Sequence, residues 1–93
     1  MKQFYVYIIT NKYRTTFYVG ITNDLNRRST EHNESKGSVF TSKFNLTDVV
    51  YYEIFSDVNQ AISREKQLKS WKKEWKLKLI KEINPTLETI QII

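Results

Sequence analysis

Five polar side chains stand out for what they could do together: Tyr7, Tyr18, Arg28, His32 and Glu65. Hydrolysis of a phosphodiester needs a cation to neutralise charge developing on the phosphoryl oxygens. It needs a group that deprotonates or orients a water, and commonly a carboxylate that carries a divalent metal. Arg28 offers a forked donor suited to phosphate. Tyr7 and Tyr18 offer two hydroxyls, and Glu65 is the best-placed carboxylate for a metal. Only one good carboxylate candidate occurs, which favours a one-metal over a two-metal site. Each residue also has an ordinary reading. Facing tyrosines can be a packing pair, a helical histidine is usually exposed, and a glutamate on an apolar stripe can reach water from a packed stem. Arg28 can serve a structural salt bridge.

The elements that must position these residues follow from hydrophobic period and turn chemistry. Residues 4–10 and 15–21 are β-branched and aromatic, as in strands. The polar residues 11–14 between them suit a hairpin loop. A symmetric hairpin places Tyr7 opposite Tyr18, Thr10 opposite Thr15 and Tyr5 opposite Gly20. By alternation, Tyr5, Tyr7, Tyr18 and Gly20 share one face, expected to be open. Phe4, Val6, Ile8, Phe17, Val19 and Ile21 share the other, expected to be the core face. Gly20 inside a strand marks close approach by a ligand or another backbone.

Thr22, Asn23 and Asp24 offer N-caps for a helix through residue 33. On it, Leu25, Arg28, Ser29 and His32 share a face, and Arg27 with Glu31 reads as a solvent ion pair. Residues 34–45 form a polar loop containing Lys43. Residues 49–55 form a third strand, apolar enough to be well buried. Asp57 with Gln60 caps a helix whose stripe runs through Val58, Ala61, Ile62, Glu65 and Leu68 or Lys69. Ser70 caps a last helix with Trp71, Trp75, Leu79, Ile80 and Ile83 inward, stopped at Asn84-Pro85. The tail from residue 86 is read as an extended segment on the body.

The chain has 93 residues, no cysteine and a formal charge of +5. One domain is expected, spanning residues 1–93. Disulfides and thiolate metal sites are excluded. The N-terminal apolar run is too short for a signal peptide or a membrane span, so a cytoplasmic protein with no membrane partner is expected. Residues 64–81 hold eight basic and two acidic side chains, whereas the remainder is close to neutral. That asymmetry points to a polyanion such as nucleic acid, or to a solvated lysine-rich face.

With these residues in view, the chain resembles the GIY-YIG nuclease superfamily. The resemblance is in particular to its small stand-alone bacterial members related to the excinuclease C catalytic domain. Tyr5-Val6-Tyr7 and Tyr18-Val19-Gly20 match the two signature triplets, with Tyr5 in place of the first glycine. Arg28 stands at the family arginine and Glu31-His32 at its Glu-His. Arg64 to Lys69 match an Arg-Glu-Lys-Gln-Leu-Lys run whose glutamate is Glu65, and Asn84-Pro85 matches a late Asn-Pro. The resemblance implies an α/β fold of the α+β type: a small three-stranded, mostly antiparallel sheet flanked by helices, in the order ββαβαα. It implies a metal-dependent endonuclease acting on nucleic acid, DNA favoured over RNA, in repair or recombination. One Mg²⁺ or Mn²⁺ would sit on Glu65.

In the same resemblance, Tyr7 acts as general base or positions the water, and Tyr18 orients phosphate or water. Arg28 stabilises the pentacovalent phosphorus, and His32 assists by hydrogen bond or proton transfer. Lys43, Lys66, Lys69, Lys72, Lys73 and Lys76 hold the nucleic-acid backbone. The alternatives are a binding module that keeps the nuclease fold without cutting, and a protein-interaction domain with a basic surface. Both monomer and homodimer fit the sequence.

Overall fold

A computed structural model describes residues 2–28 and 46–91. Three strands form an antiparallel sheet: β1 (Phe4–Thr10), β2 (Phe17–Thr22) and β3 (Asp48–Phe55), in spatial order β2-β1-β3. Helix α1 opens after Asp24 and is described over residues 25–28. Helices α2 (Val58–Ser70) and α3 (Lys73–Ile83) follow β3. The order is ββαβαα, as expected.

The hairpin register differs from the symmetric expectation. Tyr7 pairs with Gly20, Ile9 with Tyr18 and Thr10 with Phe17. The cause is the Asn11 side chain. Its Oδ1 accepts from the backbone N–H of Thr15 (2.8 Å) and Thr16 (3.2 Å), and its Nδ2 donates to the Thr15 hydroxyl. Thr15 and Thr16 are thereby held in the loop, and the ladder begins at Phe17. Because the shift is by two residues, each side chain keeps its face. Tyr5, Tyr7 and Tyr18 still share one side of the sheet.

Both faces of the sheet are covered, so the tyrosine side is not the open surface that alternation alone implies. On one side Val6, Ile8, Val19, Val50 and Tyr51 pack with Ala61 and Leu68 of α2 and Ile80 of α3. On the other, Tyr7, Ile9 and Val49 pack with Leu25 of α1 and Leu46. The β1–β3 register shifts between Ile8 and Ile9, which leaves Val50 as the extra residue of a bulge. The bulge lets the consecutive Val50 and Tyr51 both enter the first core. The far half of β3 is less buried than its composition predicts, with Ile54 half-exposed, because β3 is an edge strand.

Asp57 caps α2 by accepting from the Asn59 N–H. The buried stripe of α2 is Ala61 and Leu68, whereas Val58 and Ile62 are exposed. Ser70 ends α2 instead of capping α3, whose N-cap is Lys72. Of the side chains expected inward on α3, Ile80 is buried, Leu79 is partly so, and Trp75 and Ile83 are exposed. An 11-residue helix on a sheet this small has only one stripe to cover it. Asn84 closes α3, and its side chain donates to Val50 and Glu88 carbonyls and accepts from the Glu88 N–H. Ile90 N–H then bonds to the Val49 carbonyl, so the tail is laid along β3.

One buried-edge ion pair fixes α2 to the sheet. Arg64 donates from Nε and Nη2 to the Glu53 carboxylate at 2.9 Å, and Tyr51 also donates its hydroxyl to Glu53. Burial pushes the Glu53 carboxyl up, but the hydrogen bonds from Arg64 and Tyr51 outweigh it and hold the group below its ordinary 4.5. A carboxylate depressed in the folded state stabilises above its unfolded value and loses that contribution as pH falls through the folded one. Stability measured by urea unfolding is therefore expected to be level above about pH 5 and to fall progressively below 4.5. In Glu53→Gln the plateau is lower and the fall shallower; an unchanged slope contradicts the assignment.

Candidate active site

The tyrosine face is built around one close approach. Gly20 lies opposite Tyr7, and a methyl group at Gly20 would overlap the Tyr7 ring at Cζ and the hydroxyl. The Tyr7 phenol thus crosses over β2 in the space that the missing side chain leaves. The close approach at Gly20 is made by this side-chain ring, where the sequence led to the expectation of a ligand or another backbone. Tyr7 is only 1% exposed, walled by Ile9, Leu25, Leu46 and Val49.

Arg28 meets that hydroxyl. Asp24 accepts the Arg27 N–H through its carboxylate and the Arg28 N–H through its carbonyl, which fixes the first turn of α1. From there Arg28 Nε donates to the Tyr7 hydroxyl oxygen at 3.2 Å. Arg27 instead points to Asn23, with Nη2 3.4 Å from its side-chain oxygen.

Tyr18 and Glu65 are joined through Lys69. Lys69 Nζ lies 2.8 Å from Glu65 Oε2 and 5.5 Å from the centre of the Tyr18 ring. Helix α2 packs against β2, the outer strand, and the Lys69 stem reaches round that edge to the tyrosine side. The hydrogen bond to Glu65 raises the Lys69 ammonium above its ordinary value despite partial burial. The Glu65 side chain is 15% exposed. The Tyr7–Arg28 pair therefore stands over the central strand at Gly20, whereas Lys69 and Glu65 stand with Tyr18 at the β2 edge. His32 and Lys43 lie outside the described residues, as does Glu31.

The expected nucleic-acid contacts divide by environment. Lys69 and Lys73 follow the line of β2, with Lys73 donating to the Thr15 carbonyl and lying 5.9 Å over the Phe17 ring. Lys66 and Lys72 are exposed, and Lys72 lies over Trp75. Lys76 is half-buried, and burial pulls its ammonium below the ordinary value. Arg64 is committed to Glu53 and to the Trp71 ring, 5.4 Å away. Its role as an anchor was legible only by noticing that Tyr51 and Glu53 share a face of β3, because the basic run around it reads as phosphate-binding.

Among the described residues no cluster of three or more metal-ligating side chains occurs. Glu65 alone still fits a hard cation. Mg²⁺ commonly takes one or two carboxylates, keeps several waters and completes its shell with substrate phosphate oxygens.

The architecture defines a small α+β domain that carries the Tyr7–Arg28 pair on one face of its sheet and the Glu65–Lys69 pair at the β2 edge. The chain belongs to the family of the GIY-YIG catalytic domain, which matches residues 3–78. Members of that family are typically endonucleases and generally use divalent metal ions. The chain is 35% identical over 82 residues to a UPF0213 protein of Staphylococcus haemolyticus, covering 88% of this chain and 99% of that one. It is 36% identical over 78 residues to a UPF0213 protein of Haloquadratum walsbyi, covering 84% and 86%. The solution NMR structure of a UPF0213 protein from Bacillus halodurans aligns with a TM-score of 0.59 at 27% identity, covering 92% of this chain and 90% of that one.

The close approach at Gly20 sets a sharp expectation. Gly20→Ala forces the buried Tyr7 ring aside and breaks its register with Arg28. Overpacking of this kind costs about 1–3 kcal/mol, measurable by urea unfolding. The double variant Gly20→Ala/Tyr7→Phe recovers part of that loss, since removal of the hydroxyl relieves one overlap. No loss in Gly20→Ala contradicts the geometry.

Proposed function

We propose that this chain is a metal-dependent endonuclease that hydrolyses nucleic-acid phosphodiester bonds, DNA before RNA, in repair or recombination in the cytoplasm. The observation that carries the reading is the Arg28 Nε bond to the Tyr7 hydroxyl above Gly20, inside a domain of the GIY-YIG family. It joins a guanidinium to a buried phenol, and the partly exposed Arg28 is the group through which a phosphate would meet the pair. Residues 1–93 act as one catalytic domain in this reading, as a monomer or homodimer.

In the proposed reaction a water attacks phosphorus in line with the leaving sugar oxygen. Its proton passes to Tyr7, or to solvent through a water that Tyr7 orients. The guanidinium of Arg28 holds negative charge on the Tyr7 oxygen and on the crowded phosphoryl oxygens. Tyr18 orients the phosphate, and His32 assists in moving a proton to the leaving oxygen. Glu65 would hold one Mg²⁺ or Mn²⁺, which when bound supplies positive charge at the phosphate. Glu65 must then give up its Lys69 partner, freeing that ammonium for the nucleic-acid backbone. Lys43, Lys66, Lys72, Lys73 and Lys76 contribute backbone contacts that carry no sequence information.

Supercoiled plasmid and branched DNA incubated with Mg²⁺ or Mn²⁺ test the reading directly. The wild type is expected to nick, and chelation to stop it. Arg28→Ala and Glu65→Gln should each lose at least about 10²-fold in rate, the scale of removing one transition-state donor. Absence of cutting on DNA and RNA, with salt-sensitive binding intact, would instead support a binding module that keeps the fold.

A further inference from the structure

Beside the Tyr7–Arg28 pair lies a cleft of about 420 Å³ that the reaction above does not use. Tyr5 and Tyr52 form one wall, in edge-to-face contact with ring centres 6.1 Å apart. The start of α1 forms the other through Asn23, Asp24 and Asn26, and Leu25 completes it as an apolar floor. Gln91 of the tail closes one end.

We propose that this cleft binds a nucleobase of the substrate strand, next to the phosphate held at Tyr7 and Arg28. The inference rests on the nuclease reading for the position of that phosphate. Three observations carry it. First, both walls run directly into the proposed site. Tyr5 and Tyr7 are alternate residues on one face of β1, about 6.6 Å apart along the strand, and Arg28 sits one turn beyond Asp24 with its N–H on the Asp24 carbonyl. A ligand tethered to a phosphate at Tyr7 reaches the cleft without leaving the surface.

Second, the lining selects against phosphate. Asp24 brings a carboxylate, and none of the described lining residues is Lys or Arg. A backbone phosphate inside the cleft would meet repulsion from Asp24, and the nearby Arg27 guanidinium is held on the Asn23 side-chain oxygen, whereas a base is uncharged. Third, the lining matches what a base presents. Aromatic rings and Leu25 receive a planar π-face, and side-chain amides of Asn23 and Gln91 offer donors and acceptors to its edge. Tyr5 stands where the first family triplet has glycine, and its ring supplies this wall of the cleft. Its hydroxyl is steadied by donation to Gln3 Oε1 at 2.9 Å, which leaves the ring as the contact surface.

The test is an NMR titration of ¹⁵N-labelled protein in EDTA, where no cutting occurs, with a DNA trinucleotide and with the same trinucleotide lacking its bases. With bases present, the backbone signals of Tyr5, Asn23, Asp24 and Tyr52 and the side-chain amides of Asn23 and Gln91 are expected to shift. With the abasic trinucleotide only the signals around Arg28 and the lysines of α2 and α3 should move. Tyr5→Ala is expected to weaken binding of the intact trinucleotide about tenfold, within the range for one base–aromatic stack, and to leave abasic binding unchanged. Tyr5→Phe, which keeps the ring, should bind as the wild type, and its spectrum checks the fold. Equal shifts in the cleft with both ligands, or none with either, overturn the proposal. Plasmid nicking, measured on the same protein preparation with Mg²⁺ in place of EDTA, separates the two readings. Nicking without cleft shifts removes only the base site, and cleft shifts without nicking remove only the catalytic assignment.

Discussion

The structure turns on one hydrogen bond: Arg28 Nε to the Tyr7 hydroxyl, made across a residue that has no side chain. Three elements must agree for it to exist. Strand β1 presents Tyr7, β2 contributes the empty position at Gly20, and α1 brings Arg28 back over the sheet. Leu25 and Leu46 pack with the ring, which is buried with its hydroxyl on the Arg28 guanidinium. A hydroxyl fixed in this way costs no reorganisation when a ligand arrives, which is the physical requirement for electrostatic catalysis.

The carboxylate half depends on a second constraint, the attachment of α2. Helix α2 packs its buried stripe of Ala61 and Leu68 on the opposite side of the sheet from Tyr7. Glu65 is linked to the tyrosine side through Lys69, whose ammonium lies between the Glu65 carboxylate and the Tyr18 ring at the β2 edge. The Glu53–Arg64 pair, with Tyr51 behind it, sets the rotation of α2 about its axis and so decides where Glu65 lies. The Glu65–Lys69 pair has its own consequence. In the proposed reading a metal would compete with Lys69 for the Glu65 carboxylate, so that loading the metal would free the ammonium for the nucleic acid.

Much of this was legible in the sequence, and the limits have physical causes. Strand periodicity and the caps at Asp24 and Asp57 located the elements, since both rest on local chemistry that no distant contact overrides. The pairing of Tyr7 with Gly20 was not legible, because the Asn11 side chain lengthens the loop and a hairpin register depends on the loop. Burial of the tyrosine face was missed for another reason. Alternation tells which residues share a face, but not that Leu25 and Leu46 will cover it. The Arg64–Glu53 pair was not foreseen, since counting charges along the chain does not show which carboxylate of β3 an arginine of α2 will meet. The cleft at Tyr5 needs Tyr52 and Gln91 beside α1, a meeting of distant segments that no local pattern encodes.

The central claim is that Glu65 and the Tyr7–Arg28 pair serve one phosphate. It is tested most directly by paramagnetic Mn²⁺ titrated into ¹⁵N-labelled protein bound to a cleavage-resistant phosphorothioate oligonucleotide. The account predicts that signals of Tyr7, Tyr18, Gly20 and Glu65 broaden together, at lower Mn²⁺ than any others, and that Glu65→Gln abolishes the effect. Early broadening confined to exposed acidic residues such as Glu74, Glu82 and Glu88, with Tyr7 and Gly20 unaffected, would contradict it.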